Sequence, residues 1–486
     1  MSKITKLEDI VSLCKRRGFI FQSSEIYGGL ASCYDYGPFG VELKNNVKKA
    51  WWKTIVQMRD DIVGLDCSIL IHPMVWKSSG HADKFADLIA ECKKCNTRTR
   101  VDHLVDAKQE HTGHASIDVQ KTNDLTGKVC PNCGAVGKFT DPMPFRLMFE
   151  TQMGANVEDS MTLFLRPETA QGIFANFRNV LDTARVKVPF GIAQIGKSFR
   201  NEVTTKAFTF RTREFEQAEI EFFCEPGTYE NWYEHWKETR FNWYTSLGIK
   251  KENLRFREHA KDELAHYAKA CVDIEYKFPL GSGDWQELEG IANRTDFDLR
   301  QHQRGMRTLN SWYETKGDLS KITLKDEAED YKSGPLSFFD EEKKCRYIPY
   351  VIEPSAGMDR SVLAFLVDAY DEEEVRGETR NLLRFHPAIA PIKAAVFPLV
   401  KKDGMPEIAE AIHKDLRKYF RCSYDEKGAV GRRYRRQDEA GTPFCVTVDG
   451  QTLTDKTVTV RDRDSMEQIR VSADQLLAYL RQKLEI

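Results

Sequence analysis

Polar and apolar residues alternate in two neighbouring runs across positions 189–223, PFGIAQIGKSFRNEVTTKAFTFRTREFEQAEIEFF, with a polar loop between them. A period of two predicts strands, here an antiparallel pair: the first run ends in Ser198-Phe199-Arg200-Asn201-Glu202 and the second begins at Phe208. On the second run the alternation sets Arg211, Arg213, Phe215, Gln217, Glu219 and Glu221 on one face, with Thr212, Glu214, Glu216, Ala218, Ile220 and Phe222 on the other. Upstream, GPFGVELKNNVKKAWWKTIVQMRDDIVG predicts an amphipathic helix, followed by a strand, CSILIHP, that stops at Pro73. LFLRPETAQGIFANF reads as a turn leading into a helix with Glu168 and Thr169 at its start, and 225–277 reads as helices packed on the sheet. In YVIEPSAGMDRSVLAFLVDAY a strand ends at Glu353, a small-residue turn follows, and Gly357 opens an apolar helix with Arg360 in its first turn. The last hundred residues alternate strand and helix patterns and predict a separate small α/β domain.

With 486 residues the chain has room for two or three domains. No apolar run approaches the roughly 20 residues of a membrane span, and the opening MSKITKLEDIVSLCKRR lacks an apolar signal core, so a cytoplasmic enzyme is expected. A net charge of −2 gives no global pull toward nucleic acid, and any such contact must come from local basic patches. Arg432, Arg433, Arg435 and Arg436 around Tyr434 form the densest of these, although a solvated basic face has the same pattern.

Two groups of residues carry candidate chemistry. The face of the 208–223 run offers a cation, an aromatic ring and a carboxylate, and four residues of strand span about 13 Å, the scale of a nucleotide with a small substituent. A solvated sheet face with charges of both signs would read the same way. Cys92 and Cys95, then Cys130 and Cys133, form two CxxC pairs with 34 residues between them, the pattern of four thiolates around one structural zinc. Disulfides and free thiols are the alternatives, and a cytosolic chain disfavours disulfides.

FRNE, a loop and FRTREFEQAE resemble motif 2 of the class II aminoacyl-tRNA synthetases, in the form carried by the homodimeric glycine-specific branch. The helix before Pro73 resembles motif 1 and GMDR resembles motif 3, with Asp359 where the wider class has Glu. LRPETAQGIF, RVDHL and ELEGIANRTDFDL resemble further blocks of that branch, and 389–486 resembles its anticodon-binding domain. The resemblance implies an antiparallel α+β catalytic sheet with helices in 1–90 and 145–388, a zinc-bearing insertion at 91–144 and a mixed α/β domain at 389–486.

It also implies site residues. Arg200 would hold the α-phosphate of ATP, Glu202 the adenine amino group, Arg211 and Arg360 the γ-phosphate, and Phe215 would stack on the base. Asn201, Phe210, Leu288, Gly357, Met358 and Asp359 complete the ATP site, with Glu287 beside ATP and its magnesium. Arg100, Glu168, Phe215, Gln217, Glu219, Glu353, Ser355 and Gly357 would line the substrate pocket, with Glu168, Glu219 and Glu353 around the ammonium of glycine. Glu289 has no role in this reading. The implied reaction is ATP-dependent activation of glycine and its transfer to tRNA(Gly) by a homodimer. A class II ligase for another small amino acid and a non-catalytic RNA-binding relative are the competing readings. LRPETAQGIF opposes the first, and the arginines of the ATP site oppose the second.

Overall fold

The computed structural model describes residues 6–101, 104, 124–156, 160–203, 207–265, 268–280 and 285–485. Its centre is a seven-stranded sheet, whose strands we number in chain order: β1 Ile62–Gly64, β2 Phe190–Phe199, β3 Glu214–Cys224, β4 Leu254–Glu258, β5 Ala270–Lys277, β6 Trp285–Thr295 and β7 Tyr350–Gly357. In space the order is β4-β5-β6-β7-β3-β2-β1, antiparallel throughout except for the β1–β2 pair.

One face of this sheet is apolar. Ala218, Ile220 and Phe222 of β3 pack there with Ile274, Ile291 and Ile352 against helices Pro38–Trp52, Tyr229–Ser246 and Met358–Ala369. The first of these starts as its sequence demands, with Gly37 as N-cap and Pro38 at a position whose missing N–H has no partner to lose. Leu43, Val47 and Trp51, four residues apart, form its buried stripe. Gly40 is required by close approach, since a Cβ there would lie 1.8 Å from the Phe19 carbonyl oxygen. A buried ion pair fixes helix Tyr229–Ser246 to the sheet: Arg240 donates to Glu289 at 2.6 and 3.1 Å. Glu289 therefore belongs to the framework.

Two predicted strands differ. The strand after the first helix is Ile62–Gly64, and Cys67 to His72 are not extended ladder but are tied to β2 through Arg166, which donates to the Cys67 and Ser68 carbonyls at 2.7 and 3.3 Å. Pro73 begins helix Pro73–Ser79 rather than ending a strand, and His72 Nδ1 accepts from the Met74 N–H at 3.2 Å. Nor does a turn follow Glu353: β7 runs on to Gly357, pairing Ser355, Ala356 and Gly357 with Glu219, Ala218 and Gln217. The β3–β7 ladder skips Pro354, which has no N–H to give.

A three-stranded sheet of Arg98–Arg100, Ala86–Glu91 and Met143–Arg146 spans both ends of the expected insertion. The C-terminal part forms a five-stranded sheet, in the order Cys422–Tyr424, Ala394–Pro398, Phe444–Val448, Thr457–Asp462 and Gln468–Ser472. Its first three strands are parallel and the rest antiparallel. Among the described residues no helix is long and apolar enough to cross a membrane.

Candidate active site

The second face of the large sheet is polar, and the candidate residues converge on it. Phe215, Gln217, Glu219 and Glu221 alternate along β3 as predicted. Arg211 and Arg213 do not share that ladder. The strand begins at Glu214, and Phe208–Phe210 is a 3₁₀ turn entered through Ala207 and Phe208 at positive φ (78° and 55°). The turn brings Arg211 to the site from the loop instead.

Glu219 is the most fully bonded carboxylate in the pocket. It accepts from the Thr169 N–H at 3.0 Å, from the Thr169 hydroxyl, from Gln217 at 2.9 Å and from Ser355 at 2.7 Å. Glu168, just ahead of helix Ala170–Ala184, accepts from Gln171 at 3.0 Å and faces His81 at 3.4 Å. Glu353 pairs with Arg294 at 2.9 and 3.0 Å, and the opposite edge of that guanidinium grips Asp298 at 2.8 and 2.9 Å. Glu221 lies behind them, with both carboxylate oxygens buried and unpartnered.

So many acids around Arg294 cannot all ionise easily. Burial, then Glu219 and Glu168, push Glu353 up to about 8 in spite of Arg294. Burial and Glu168 raise Glu219, and burial and Glu353 raise Glu221 well above the carboxylate range. Glu168 moves the other way: burial opposes ionisation, but the charge and hydrogen bond of His81 prevail. The pocket thus holds more carboxyl groups than cations.

The cationic half lies beside it. Arg360 donates to the Glu287 carbonyl at 2.9 Å and the Glu287 carboxylate at 3.2 Å, and its guanidinium stands 4.4 Å over the Phe210 ring. A bulge between Ile274 and Glu275 offsets the β5–β6 register, so that the Glu287 carboxylate lies beside Gly290, three residues on. Arg200 donates to the Pro167 carbonyl at 3.0 Å and lies 5.4 Å from the Phe215 ring centre. Arg211 is held close to Glu202, Arg360, Arg100 and Glu287; burial foremost, then Arg360 and Arg100, lowers its proton affinity. Arg100 is buried 3.3 Å from Asp87. Asn201 donates its N–H to the Leu147 carbonyl at 2.8 Å and Glu202 is buried beside it. Asp102 and His103 of the RVDHL segment lie outside the described residues.

The side chains of three residues expected at ATP are engaged in the framework. Leu288 and Met358 are buried in the apolar core. Asp359 accepts from Tyr36 at 2.6 Å, Lys44 at 2.7 Å and the Glu216 N–H at 2.7 Å. Its carboxylate thus locks the first turn of helix Met358–Ala369, with Gly357 as N-cap, to β3 and to helix Pro38–Trp52.

In the insertion, the sulfurs of Cys92, Cys95, Cys130 and Cys133 lie within 4.8 Å of one another, and the Cys92–Cys133 and Cys95–Cys130 separations are both 3.7 Å. A tetrahedron with zinc–sulfur bonds of about 2.3 Å has edges of about 3.8 Å, so the donor set fits zinc.

Residues 153–370 match the family model described as tRNA synthetase class II core domain (G, H, P, S and T), and residues 393–483 match the anticodon binding domain. Over 99% of its length the chain is 52% identical to a protein named glycine–tRNA ligase from Acetivibrio thermocellus, covering 98% of that protein. It is 50% identical to the same-named protein of Thermobifida fusca, over 99% of this chain and 98% of that protein. The Rhodopirellula baltica protein of that name is 46% identical, again over 99% of both. This chain belongs to the glycine–tRNA ligase family.

Membership in the glycine–tRNA ligase family gives the pocket its context, and it also exposes what sequence reasoning missed. Arg294, Asp298 and His81 received no role, because their meaning lies in contacts with Glu353 and Glu168, far away in the chain. The signal for Arg294 was present: an arginine inside an otherwise buried strand requires a counter-ion.

The arginine cluster of the anticodon-binding domain needs correction. Arg433 is buried and donates to the Pro398, Leu399 and Asp425 carbonyls, and Arg436 pairs with Asp425 at 2.6 Å. Arg435 is half-buried, 4.0 Å from Glu378. Only Arg432 of the four is exposed, so the cluster mainly holds helix Val430–Ala440 to its own sheet.

Proposed function

We propose that this chain is a glycine–tRNA ligase, which condenses glycine with ATP to glycyl-adenylate and passes the glycyl group to the 3′ end of tRNA(Gly). The observation that carries this reading is the acidic pocket, with more carboxyls than cations, set on the same sheet face as Arg200, Arg211 and Arg360. An ammonium entering the pocket adds a positive charge among these carboxyls, and Glu219, Glu168 and Glu353 receive it. The glycine carboxylate then attacks the α-phosphorus, a phosphate–carboxylate bond forms, and pyrophosphate leaves with the electron pair. Arg200 neutralises charge at the α-phosphate, while Arg211 and Arg360 hold the leaving pyrophosphate. Phe215 supplies a stacking surface, and Glu202 an acceptor for the adenine amino group. Ser355 and Gln217 hold Glu219 at the pocket wall, and an added side chain on the substrate would have to displace such packed groups.

Glu287 fits a magnesium site, being one carboxylate beside a phosphate-binding arginine. The bound ion would add charge neutralisation at the phosphates. Zinc on the four cysteines would be structural, leaving no open position for chemistry. The proposal extends to a homodimer in the cytoplasm, with the catalytic part in 1–90 and 145–388, the insertion in 91–144 and tRNA recognition in 389–486. The test is incorporation of labelled glycine into acid-precipitable tRNA, dependent on ATP. Absence of charging by folded protein with cognate tRNA overturns it.

A further inference from the structure

The polar face of the large sheet does not end at the pocket. It continues across β6 and β5 to the sheet edge, rung by rung. Ser355, Gly290, Asp273 and Arg257 occupy one rung, and Glu353, Ala292 and Cys271 the next. His259, just past the end of β4, extends that second rung by donating its N–H to the Cys271 carbonyl at 2.9 Å. Cys271 and Asp273 are two residues apart on β5 and so project to the same side, with His259 opposite Cys271.

The result is a set of three donors of different kinds. An imidazole nitrogen of His259, the sulfur of Cys271 and a carboxylate oxygen of Asp273 all lie within 4.8 Å of one another. His259 Nε2 stands 2.8 Å from Asp273 Oδ2. The residues facing them from β6 are small, Gly290 and Ala292. A Cβ built at Gly290 would stand in ordinary contact with the Glu287 and Asp273 carboxylates, at 3.7 and 3.8 Å. The His259 and Asp273 side chains keep 15% and 8% of their surface exposed, which leaves a path from solvent.

We propose that His259, Cys271 and Asp273 form a second metal site, for a borderline-soft divalent cation such as zinc. The donor set selects the ion: thiolate and imidazole favour zinc or cobalt over magnesium, which takes oxygen ligands. The surroundings are acidic as well, with Glu287, Glu353 and Glu258 near Cys271, and so favour a cation. The Cys271 thiolate and the Asp273 carboxylate cancel a divalent ion. The nearby Arg257, with Nη1 3.7 Å from Asp273, is itself paired to Glu263 at 2.6 Å and adds no net charge. On binding, the thiol proton of Cys271 and the proton between His259 and Asp273 are both released, His259 ligates through Nε2 with its remaining proton on Nδ1, and a water completes four-coordination. The site is two strands from Glu353, roughly 10 Å away along the ladder, and is separate from the four-cysteine site of the insertion.

Metal analysis of the full chain, equilibrated against buffered free zinc, tests this. The wild type should bind two zinc ions per chain at saturation. Cys271→Ala and Asp273→Asn should each bind one, with the second site weakened by more than about 100-fold. The zinc they retain, on the four cysteines, reports that the chain is folded. Cys130→Ser should keep the second ion while losing the first. A wild type that saturates at one ion or none, or a Cys271→Ala protein that still binds two, overturns the proposal. Cobalt titration of the metal-free wild type decides without any variant. Its weaker equivalent should bring a thiolate-to-cobalt band of lower intensity, from one thiolate rather than four, and the absence of that band contradicts the site.

Discussion

Glu353 shows how much of this site depends on a single titrating group. Its carboxyl has an ordinary value of 4.5 and is pushed up to about 8 by burial and by Glu219 and Glu168. At pH 7 it is therefore mainly protonated in the folded chain and ionised in the unfolded one. Between about pH 4.5 and 8 the folded state binds the extra proton, so this group's contribution to stability falls as pH rises through that window. A glycine ammonium reverses the balance by favouring the carboxylate. Glycine binding at pH 7 should thus release up to about one proton, read by calorimetry as a dependence of the heat on buffer ionisation enthalpy. Glu353→Gln should abolish the dependence, and a wild type without it contradicts the assignment. At the residue scale, β3 was legible: the alternation of Phe215, Gln217, Glu219 and Glu221 survives in the structure. Arg211 was drawn onto the same ladder because its neighbours continue the period, whereas the positive φ of Ala207 and Phe208 breaks it. Arg294 called for a counter-ion, but its partnership with Glu353 could not be read, since no local pattern joins strands β6 and β7.

Helices and strands were easier to read than the segments joining them. The apolar stripe of helix Pro38–Trp52 and the CxxC pairs carry their own spacing rules. The 67–72 segment looks like a strand because it is apolar, yet tertiary hydrogen bonds from Arg166 use the carbonyls of Cys67 and Ser68. Two predictions belong at this scale. Glu289→Ala leaves Arg240 buried without its counter-ion, and should destabilise the chain by about 3–5 kcal/mol, measured by denaturant or thermal unfolding. Unchanged stability would contradict the framework role of the pair. Cys130→Ser should lose the zinc of the insertion and increase amide hydrogen exchange in strands Ala86–Glu91 and Arg98–Arg100, disturbing Arg100. Unchanged exchange there, with full zinc content in that site, would mean the ligand set is wrong.

On the scale of the whole molecule, the catalytic and anticodon-binding parts are joined by buried polar contacts as well as by the chain. Arg380, on strand Glu378–Leu383, donates to Asp438 at 2.8 Å, and Arg463 donates to the Phe385 carbonyl at 3.0 Å. Ile389 and Ala390 pack in the core cluster of the catalytic part, so a cut between 388 and 389 would remove core side chains. A chain ending after 392 retains those side chains and should still make glycyl-adenylate while charging tRNA poorly. Within the C-terminal part, Arg433→Ala should lower its thermal stability, while Arg432→Ala should leave stability unchanged. The inversion of these two effects would restore the expectation of one basic RNA-binding cluster.

The central claim is that one sheet face brings an ammonium pocket and an ATP-binding arginine set together for glycine activation. Exchange of labelled pyrophosphate into ATP, measured with a panel of amino acids, tests it without tRNA. Glycine should support exchange, alanine and serine should not, and Arg200→Ala should reduce the glycine rate by about 10²-fold or more while the fold is retained. Exchange supported equally by alanine, or left near normal in folded Arg200→Ala, would contradict it.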